Sequence, residues 1–409
     1  MIVQKKDNEQ NKAGRDGSFI KKKSTSRCSI YKKCGGCTLL HLPYEDQLRM
    51  KQERIYALLA DFCVPEPIVK MKNPDHYRAK VTSVFSYDRK GKPVCGIYRE
   101  CSHEVVPVKT CMLEDLRADR IVQTIFDLLP SFKIRIYDED LGTGLLRYVQ
   151  VRTARKTGQI MVTLVTADPV FPSRNNFVKA LRKAHPEITT IVQNINPEKT
   201  TMVLGERESV LFGTGYIEDE VCGSRFRLSS RSFFQVNPIQ TEKLYNIAVD
   251  MAGLSGRQTV LDAYCGVGTI GIIAASHCRQ VLSVELNPDA VKNARENALL
   301  NGCTNVQVMQ GDAGTFMRRT AEEAADRKVD VLFLDPPRSG ASETFLASAV
   351  QLAPPKIVYV SCDPETLARD LGYLTQNGYR VKKAVPVDMF PHTGHIETIV
   401  LLQKLNLSL

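Results

Sequence analysis

The sequence predicts an α/β fold with a doubly wound, Rossmann-like sheet in its carboxy-terminal half and a β-rich module before it. Three observations carry this. From about Ser229, apolar strand-like runs alternate with helical stretches, the rhythm of a parallel sheet covered on both faces. The run Thr259–Tyr264 ends in Cys265-Gly266-Val267-Gly268-Thr269, a tight turn that lets a ligand approach the backbone at a helix start. From Tyr77 to Phe212 the chain instead shows short β-branched runs broken by turn residues.

In the carboxy-terminal half, Thr259–Tyr264 is the first strand and Gln280–Leu286 the second. Glu285 lies 19 residues after Gly266, where a carboxylate can accept both ribose hydroxyls of an adenosine ligand. Asn287 caps the next helix, Pro288 opens it and Asn301-Gly302 ends it. Strand three, Val306–Gln310, leads to Asp312, and strand four, Val329–Leu334, to Asp335-Pro336-Pro337-Arg338. Strand five, Ile357–Val360, is bracketed by Pro354-Pro355 and Pro364. Val381–Asp388 and Glu397–Gln403 form a last pair. The acidic turn after strand one and the Asp-Pro-Pro turn after strand four favour S-adenosylmethionine over a dinucleotide. An aromatic residue after Asp-Pro-Pro would suit an amino-methylating enzyme, but here Arg338 follows.

Cys362 falls just past strand five, where open α/β sheets collect reactive groups. Alone it reads as a small apolar filler, and Glu397 alone as surface charge in a hairpin. Together they suit one chemistry. Carbon 5 of uracil is a poor nucleophile, but thiolate addition at carbon 6 makes an enolate that can take a methyl group. A base must then remove the carbon 5 proton so that the thiol can leave. His392 and His395 flank Glu397 and read as loop or structural residues.

The amino-terminal half begins with a polar, aperiodic stretch, residues 1–27, expected to be a disordered basic tail. Residues 1–33 hold ten Lys/Arg against three Asp/Glu, most of a net charge of +10, which suits a polyanionic partner. Cys28, Cys34 and Cys37 lie close together around Gly35-Gly36, with Cys111 after 73 intervening residues. Three near thiols and one distant one can supply four ligands to an iron–sulfur cluster. Zinc and no metal stay open as alternatives. Cys63, Cys95, Cys101, Cys222, Cys278 and Cys303 show no such spacing and read as packing residues. Leu42–Phe62 is a helix. β-Runs follow at Lys80–Tyr87, Cys95–Tyr98, His103–Val108, Leu145–Thr153, Gln159–Thr166, Thr190–Asn194 and Ser209–Phe212, interrupted by one helix, Ser173–Ala184. Arg78, Lys80, Arg147, Arg152, Arg155 and Lys156 are expected on its surface, facing RNA.

Across 409 residues there is room for two or three domains. No run of 18 apolar residues offers a membrane span, and MIVQKKDNEQ is no secretory leader. Twelve cysteines without a leader argue for a reducing, cytoplasmic setting.

CxxxxxCGGC with the distant Cys111, SFFQVNP (Ser232–Pro238), DAYCGVGT, DPPRSG, SCDP and HIET together resemble the RNA uracil-5-methyltransferase family. The likeness is to its iron–sulfur members that make 5-methyluridine in 23S ribosomal RNA, and covers about residues 28–405. The resemblance implies a class I S-adenosylmethionine-dependent methyltransferase domain over 229–409, and an iron–sulfur, RNA-binding module over 28–228. It implies Cys362 as nucleophile and Glu397 as base. It also implies cofactor contacts at Gln235, Tyr264, Glu285 and Asp335, and a 4Fe–4S cluster on Cys28, Cys34, Cys37 and Cys111. Many ribosomal-RNA members carry a further amino-terminal β-barrel, for which the 27 residues before Cys28 are too few. Ribosomal RNA is the expected partner and a monomer the expected state. Transfer RNA is the rival target, disfavoured because those relatives typically lack a cluster. Cytosine-5 methylation would need a Cys after strand four, and a non-catalytic iron–sulfur RNA-binding factor would not need both Cys362 and Glu397.

Overall fold

The structure, a computed structural model, describes residues 27–100, 102–323 and 328–405. The expected tail over residues 1–26, and Cys101, lie outside the described residues.

The chain opens with a one-turn helix α1 (Tyr31–Cys34) and the long α2 (Tyr44–Leu59). Then come β1 (Lys80–Tyr87), β2 (Pro93–Tyr98), β3 (Val105–Pro107), α3 (Leu116–Leu128), β4 (Leu146–Thr153), β5 (Ile160–Thr166), α4 (Arg174–Ala184), β6 (Ile188–Ile195) and β7 (Arg207–Phe212). These strands form one seven-stranded sheet in the order β3-β2-β1-β4-β5-β6-β7. It is antiparallel except for β5 and β6, which α4 joins as a parallel crossover. One helix was expected within this module and there are two. Asp115 caps α3 by accepting the Arg117 N–H, and Ala118, Ile121, Val122 and Ile125 bury one helical face against the sheet.

A hairpin that the sequence reading passed over follows: β8 (Tyr216–Val221) and β9 (Ser224–Ser229). Its alternate residues Ile217, Val221, Phe226 and Leu228 enter an apolar cluster with Met161 and Val192 of the first sheet and Val260 and Val331 of the second. The hairpin therefore makes one continuous core of both halves.

The second half runs α5 (Pro238–Ala252), β10 (Thr259–Ala263), α6 (Thr269–Ala275), β11 (Gln280–Glu285), α7 (Pro288–Leu300), β12 (Val306–Gln310), α8 (Ala313–Glu323), β13 (Val331–Leu334), α9 (Glu343–Leu352), β14 (Lys356–Ser361), α10 (Pro364–Gln376), β15 (Tyr379–Val387) and β16 (Glu397–Lys404). The sheet order is β12-β11-β10-β13-β14-β16-β15, with only β16 antiparallel to its neighbours. This is the doubly wound α/β sheet expected from the alternating pattern, in the class I methyltransferase arrangement that the resemblance implied. The switch in strand order lies between β10 and β13, the place where such sheets bind ligands.

Helix α2 does not stay with the first sheet. Its Ile55 and Leu59 are fully buried in the same cluster as Leu371 and Leu374 of α10 and Val400 of β16. Lys51 on the same helix meets Asp388 at 2.5 Å, both buried. Among the described residues, no helix is long and apolar enough to cross a membrane.

Candidate active site

Five parallel strands, β10 to β14, deliver their carboxyl ends to one side of the second sheet. Ala263 pairs with Leu334, and Leu334 with Tyr359, so the turns after β10, β13 and β14 share one rim. In the first turn Tyr264 sits at φ 62°, in the left-handed region, followed by Gly266 at 55° and Gly268 at 84°. Backbone in that region is costly for a residue with a Cβ and gathers at functional sites. The Tyr264 ring stacks on Phe345 of α9 at 4.9 Å, and burial lifts its hydroxyl to about 12.

Gly266, Gly268 and Gly271 keep the full GxGxxG spacing, so spacing does not separate a dinucleotide from S-adenosylmethionine. Gly271 is required by packing: a Cβ there would lie 2.8 Å from both Asp262 Oδ2 and Ser283 Oγ. Asp262, buried under the turn, accepts the Gly271 N–H at 2.9 Å, and desolvation raises its carboxyl to about 7. At the end of β11, Glu285 is already oriented. One oxygen accepts the Gly266 N–H at 3.0 Å and the other the Asn287 N–H at 2.8 Å. Half-exposed, it keeps lone pairs for a diol.

Cys362 follows β14 directly, and the β14–β16 register pairs Ser361 with Thr398. One step further sets Cys362 opposite Glu397. Glu397 is 1% exposed, and its Oε2 is buried with no hydrogen-bond partner. Burial, then the nearby Asp335, push its carboxyl well above the usual range. Asp335 itself is raised to about 7 by desolvation. Cys362 is lifted to about 12, first by desolvation and then by Glu397 and Asp335, while Arg338 pulls it down. Arg338 opposes the rise of Glu397 as well. The structure thus brings together a thiol, an open-handed carboxyl, a second carboxyl and one cation.

Gln235 is buried on the loop before α5, close to the hydroxyl of Tyr245. The sequence reading missed Tyr245. Its ring belongs to the apolar core, yet its hydroxyl faces Asp335, Glu397 and Asp262, which with burial raise it strongly. Helical spacing marks it only as a core residue of α5, so no sequence signal would have found it. On the same loop Phe233 is 70% exposed between buried Ser232 and Phe234.

The expected surface cations divide. Arg147 and Arg152 are both buried, contrary to expectation. Arg147 donates to the Asn196 and Glu198 carbonyls at 2.7 Å and lies over the Tyr137 ring, holding a loop. Arg152 donates to the Ser232 carbonyl at 2.6 Å, and burial lowers it to about 10. Lys80 falls to about 8 through burial and the charges of Arg152 and Arg78. Arg155 and Lys156 are exposed, as expected.

Cys28, Cys34, Cys37 and Cys111 line a single small pocket with Ile30, Leu40 and Glu114. Burial raises Cys37 and Cys111 to about 12 and Cys34 in the same direction, with further push from neighbouring thiols on Cys34 and Cys37 and from Glu114 on Cys111. The donor set and the apolar lining suit a cationic metal centre. Among the described residues, though, no group of three or more His, Cys, Asp or Glu stands at metal-holding distances. The four predicted cysteines are gathered without being closed around a metal.

An uncharacterised RNA methyltransferase of Clostridium acetobutylicum is 42% identical over 387 residues, 93% of this chain and 83% of that protein. Another, from Halalkalibacterium halodurans, is 39% identical over 384 residues, again 93% and 83%. The solved structure of the Pyrococcus abyssi tRNA (uracil-54, C5)-methyltransferase in complex with S-adenosyl-L-homocysteine is 27% identical. It superposes with a TM-score of 0.72 over 90% of this chain and 86% of that one. The profile of the tRNA (uracil-5-)-methyltransferase family matches residues 43–405, and the chain belongs to that family of S-adenosylmethionine-dependent RNA methyltransferases.

Proposed function

We propose that this protein methylates carbon 5 of a uridine in 23S ribosomal RNA through a covalent Cys362–uracil adduct that Glu397 resolves. The observation that carries the reading is the facing of Cys362 and a buried Glu397 whose Oε2 has no partner. A carboxylate left unsatisfied in a protein interior is costly, and its natural explanation is a proton it must take.

The steps balance. Cys362 Sγ, as thiolate, bonds to carbon 6, and the electron pair moves to carbon 5. Carbon 5 takes the methyl group, releasing S-adenosylhomocysteine. Glu397 removes the carbon 5 proton, the carbon 5–carbon 6 double bond re-forms, and the carbon–sulfur bond breaks to return the thiolate. Burial raises both the Cys362 thiol and the Glu397 carboxyl, so each must release its proton to solvent before the cycle begins; Arg338, which opposes both shifts, is the cation placed to favour the two anions. Glu285 would hold the ribose, with Gln235, Tyr264 and Asp335 around the rest of the cofactor. Of the expected cations, Arg155 and Lys156 stay exposed and suit a phosphate backbone.

Cys28, Cys34, Cys37 and Cys111 would hold a 4Fe–4S cluster, which supplies four metal–thiolate bonds tying residue 111 to the amino-terminal segment. The same cysteine pattern supports ribosomal RNA as target. A second reading, transfer RNA, is favoured by the likeness to the Pyrococcus abyssi enzyme. Mapping 5-methyluridine in both RNAs from a strain lacking the gene decides: loss from 23S RNA supports the proposal, and loss from transfer RNA alone replaces it. Iron content after anaerobic purification, about four per chain, tests the cluster; stoichiometric zinc overturns it.

A further inference from the structure

Residues 388–396 join β15 to β16 and end at Glu397, so their path sets where the carboxyl stands. At the middle of this loop His392 is buried and takes φ 67°, a strained region for a residue with a Cβ. Every polar group of His392 is held from outside the loop. Gln47 of α2 accepts its backbone N–H at 3.0 Å and meets its Nδ1 at 3.2 Å through the amide nitrogen. With Nδ1 as acceptor, Nε2 carries the proton and donates to Asp75 Oδ1 at 2.8 Å. The His392 carbonyl accepts the Leu39 N–H at 3.0 Å. Two residues on, Gly394 donates its N–H to Thr38 Oγ1 at 2.9 Å. Asp75 in turn takes a two-point ion pair from Arg27 at 2.7 and 3.0 Å.

All these partners come from the amino-terminal segment. Arg27 adjoins Cys28, Thr38 adjoins Cys37, and Leu39 is two residues from Cys37. The segment that carries the clustered thiols is also the clamp on the loop that carries the base.

We propose that His392 is a positioning residue for proton removal by Glu397, held by Gln47 and Asp75, with Thr38 as a second point of the same clamp. The proposal rests on the adduct mechanism above. Its chemical content is specific. Addition at carbon 6 and methyl transfer use Cys362, which the clamp does not touch. Elimination needs the Glu397 oxygen in line with the carbon 5 proton, and sub-ångström placement decides such a step. Loosening the loop therefore slows the last step selectively.

The experiment measures formation and decay of the covalent protein–RNA band on denaturing gels, using bulk RNA and methyl-labelled cofactor. The enzymes are wild type, His392→Ala, His392→Asn, Thr38→Val and Glu397→Gln. Asn tolerates a positive φ and keeps a polar side chain, so it is the conservative variant. We expect labelled adduct to persist at least about tenfold longer in His392→Ala, a rise of about 1.4 kcal/mol in the elimination barrier. His392→Asn should restore much of the rate, and Thr38→Val should show a smaller delay. Cofactor affinity should stay unchanged in each. Adduct decay at the wild-type rate in His392→Ala overturns the proposal. So does parallel loss of cofactor binding and adduct in His392→Ala with Thr38→Val behaving as wild type, which marks a purely structural role. Should Glu397→Gln accumulate no adduct, the mechanism itself fails, an outcome distinct from failure of the clamp.

Discussion

Glu397 and Glu114 are both carboxyls that burial pushes above their usual range, Glu114 to about 8. Glu397 stands beside a thiol at the strand ends, and Glu114 lines the pocket of four thiols. Their electrostatics match; their hydrogen bonding does not. Glu114 lies against Asp119, which accepts the Cys111 N–H at 2.9 Å. Glu397 keeps one oxygen with no partner at all. A satisfied pair of buried acids fixes a loop, whereas an open acceptor waits for a substrate proton. A raised pKa alone does not mark a catalytic carboxyl; between these two acids it is the unmet hydrogen bond beside a thiol that differs.

Breaking the site from the thiol side has the largest expected effect. Cys362→Ala should lower turnover by about 10⁴-fold or more and form no covalent RNA complex. A labelled adduct in that variant would move the nucleophile elsewhere, with the buried Cys265 the next thiol to test. Glu397→Gln should abolish turnover while still accepting methyl label, leaving a slow-migrating band that wild type lacks. Normal turnover would remove Glu397 from the mechanism. Glu285→Ala should weaken S-adenosylmethionine by about 1.5–3 kcal/mol, the range for hydrogen bonds to a charged group. Calorimetry showing equal affinity would refute its role.

The same two acids differ in smaller ways. In the unfolded chain Glu397 ionises near 4.5, but the fold keeps it protonated well above that. The native state then binds more protons than the unfolded one, so this group's contribution falls as pH rises past about 4.5, by up to about 1.4 kcal/mol per unit. Gln does not titrate. The melting temperature of Glu397→Gln minus wild type should therefore grow from pH 5 to pH 8, and a difference flat with pH would show that Glu397 is not held protonated. Glu114→Gln, which keeps a donor for Asp119, should leave adduct lifetime within about twofold of wild type. A trapped adduct there would erase the contrast.

Much of the site was legible because its residues sit in turns whose chemistry is local. Glycines at positive φ, a capping Asn287 and an acid at a strand end announce themselves within a few residues. The alternation of strands and helices announced a doubly wound sheet, though not the order of its strands. What escaped depends on contacts far apart in sequence. Helix α3 had a readable signal, Asp115 followed by Ala118, Ile121, Val122 and Ile125 at helical spacing, and was lost among β-runs. Arg147 and Arg152 look like surface charges until the carbonyls of Asn196 and Ser232 fold over them. Neither Tyr245 nor the Gln47–His392 pairing could be inferred, since their partners lie far off in the chain.

The seating of α2 bears on how the protein is made. A ribosome releases Ile55 and Leu59 some three hundred residues before Leu371, Leu374 and Val400, the side chains that cover them. Until then the helix exposes its apolar stripe and the cation of Lys51 awaits Asp388. Closing so long a loop is slow, and the waiting surface invites chaperones. Helix α10, made some three hundred residues later, thus completes the packing of α2.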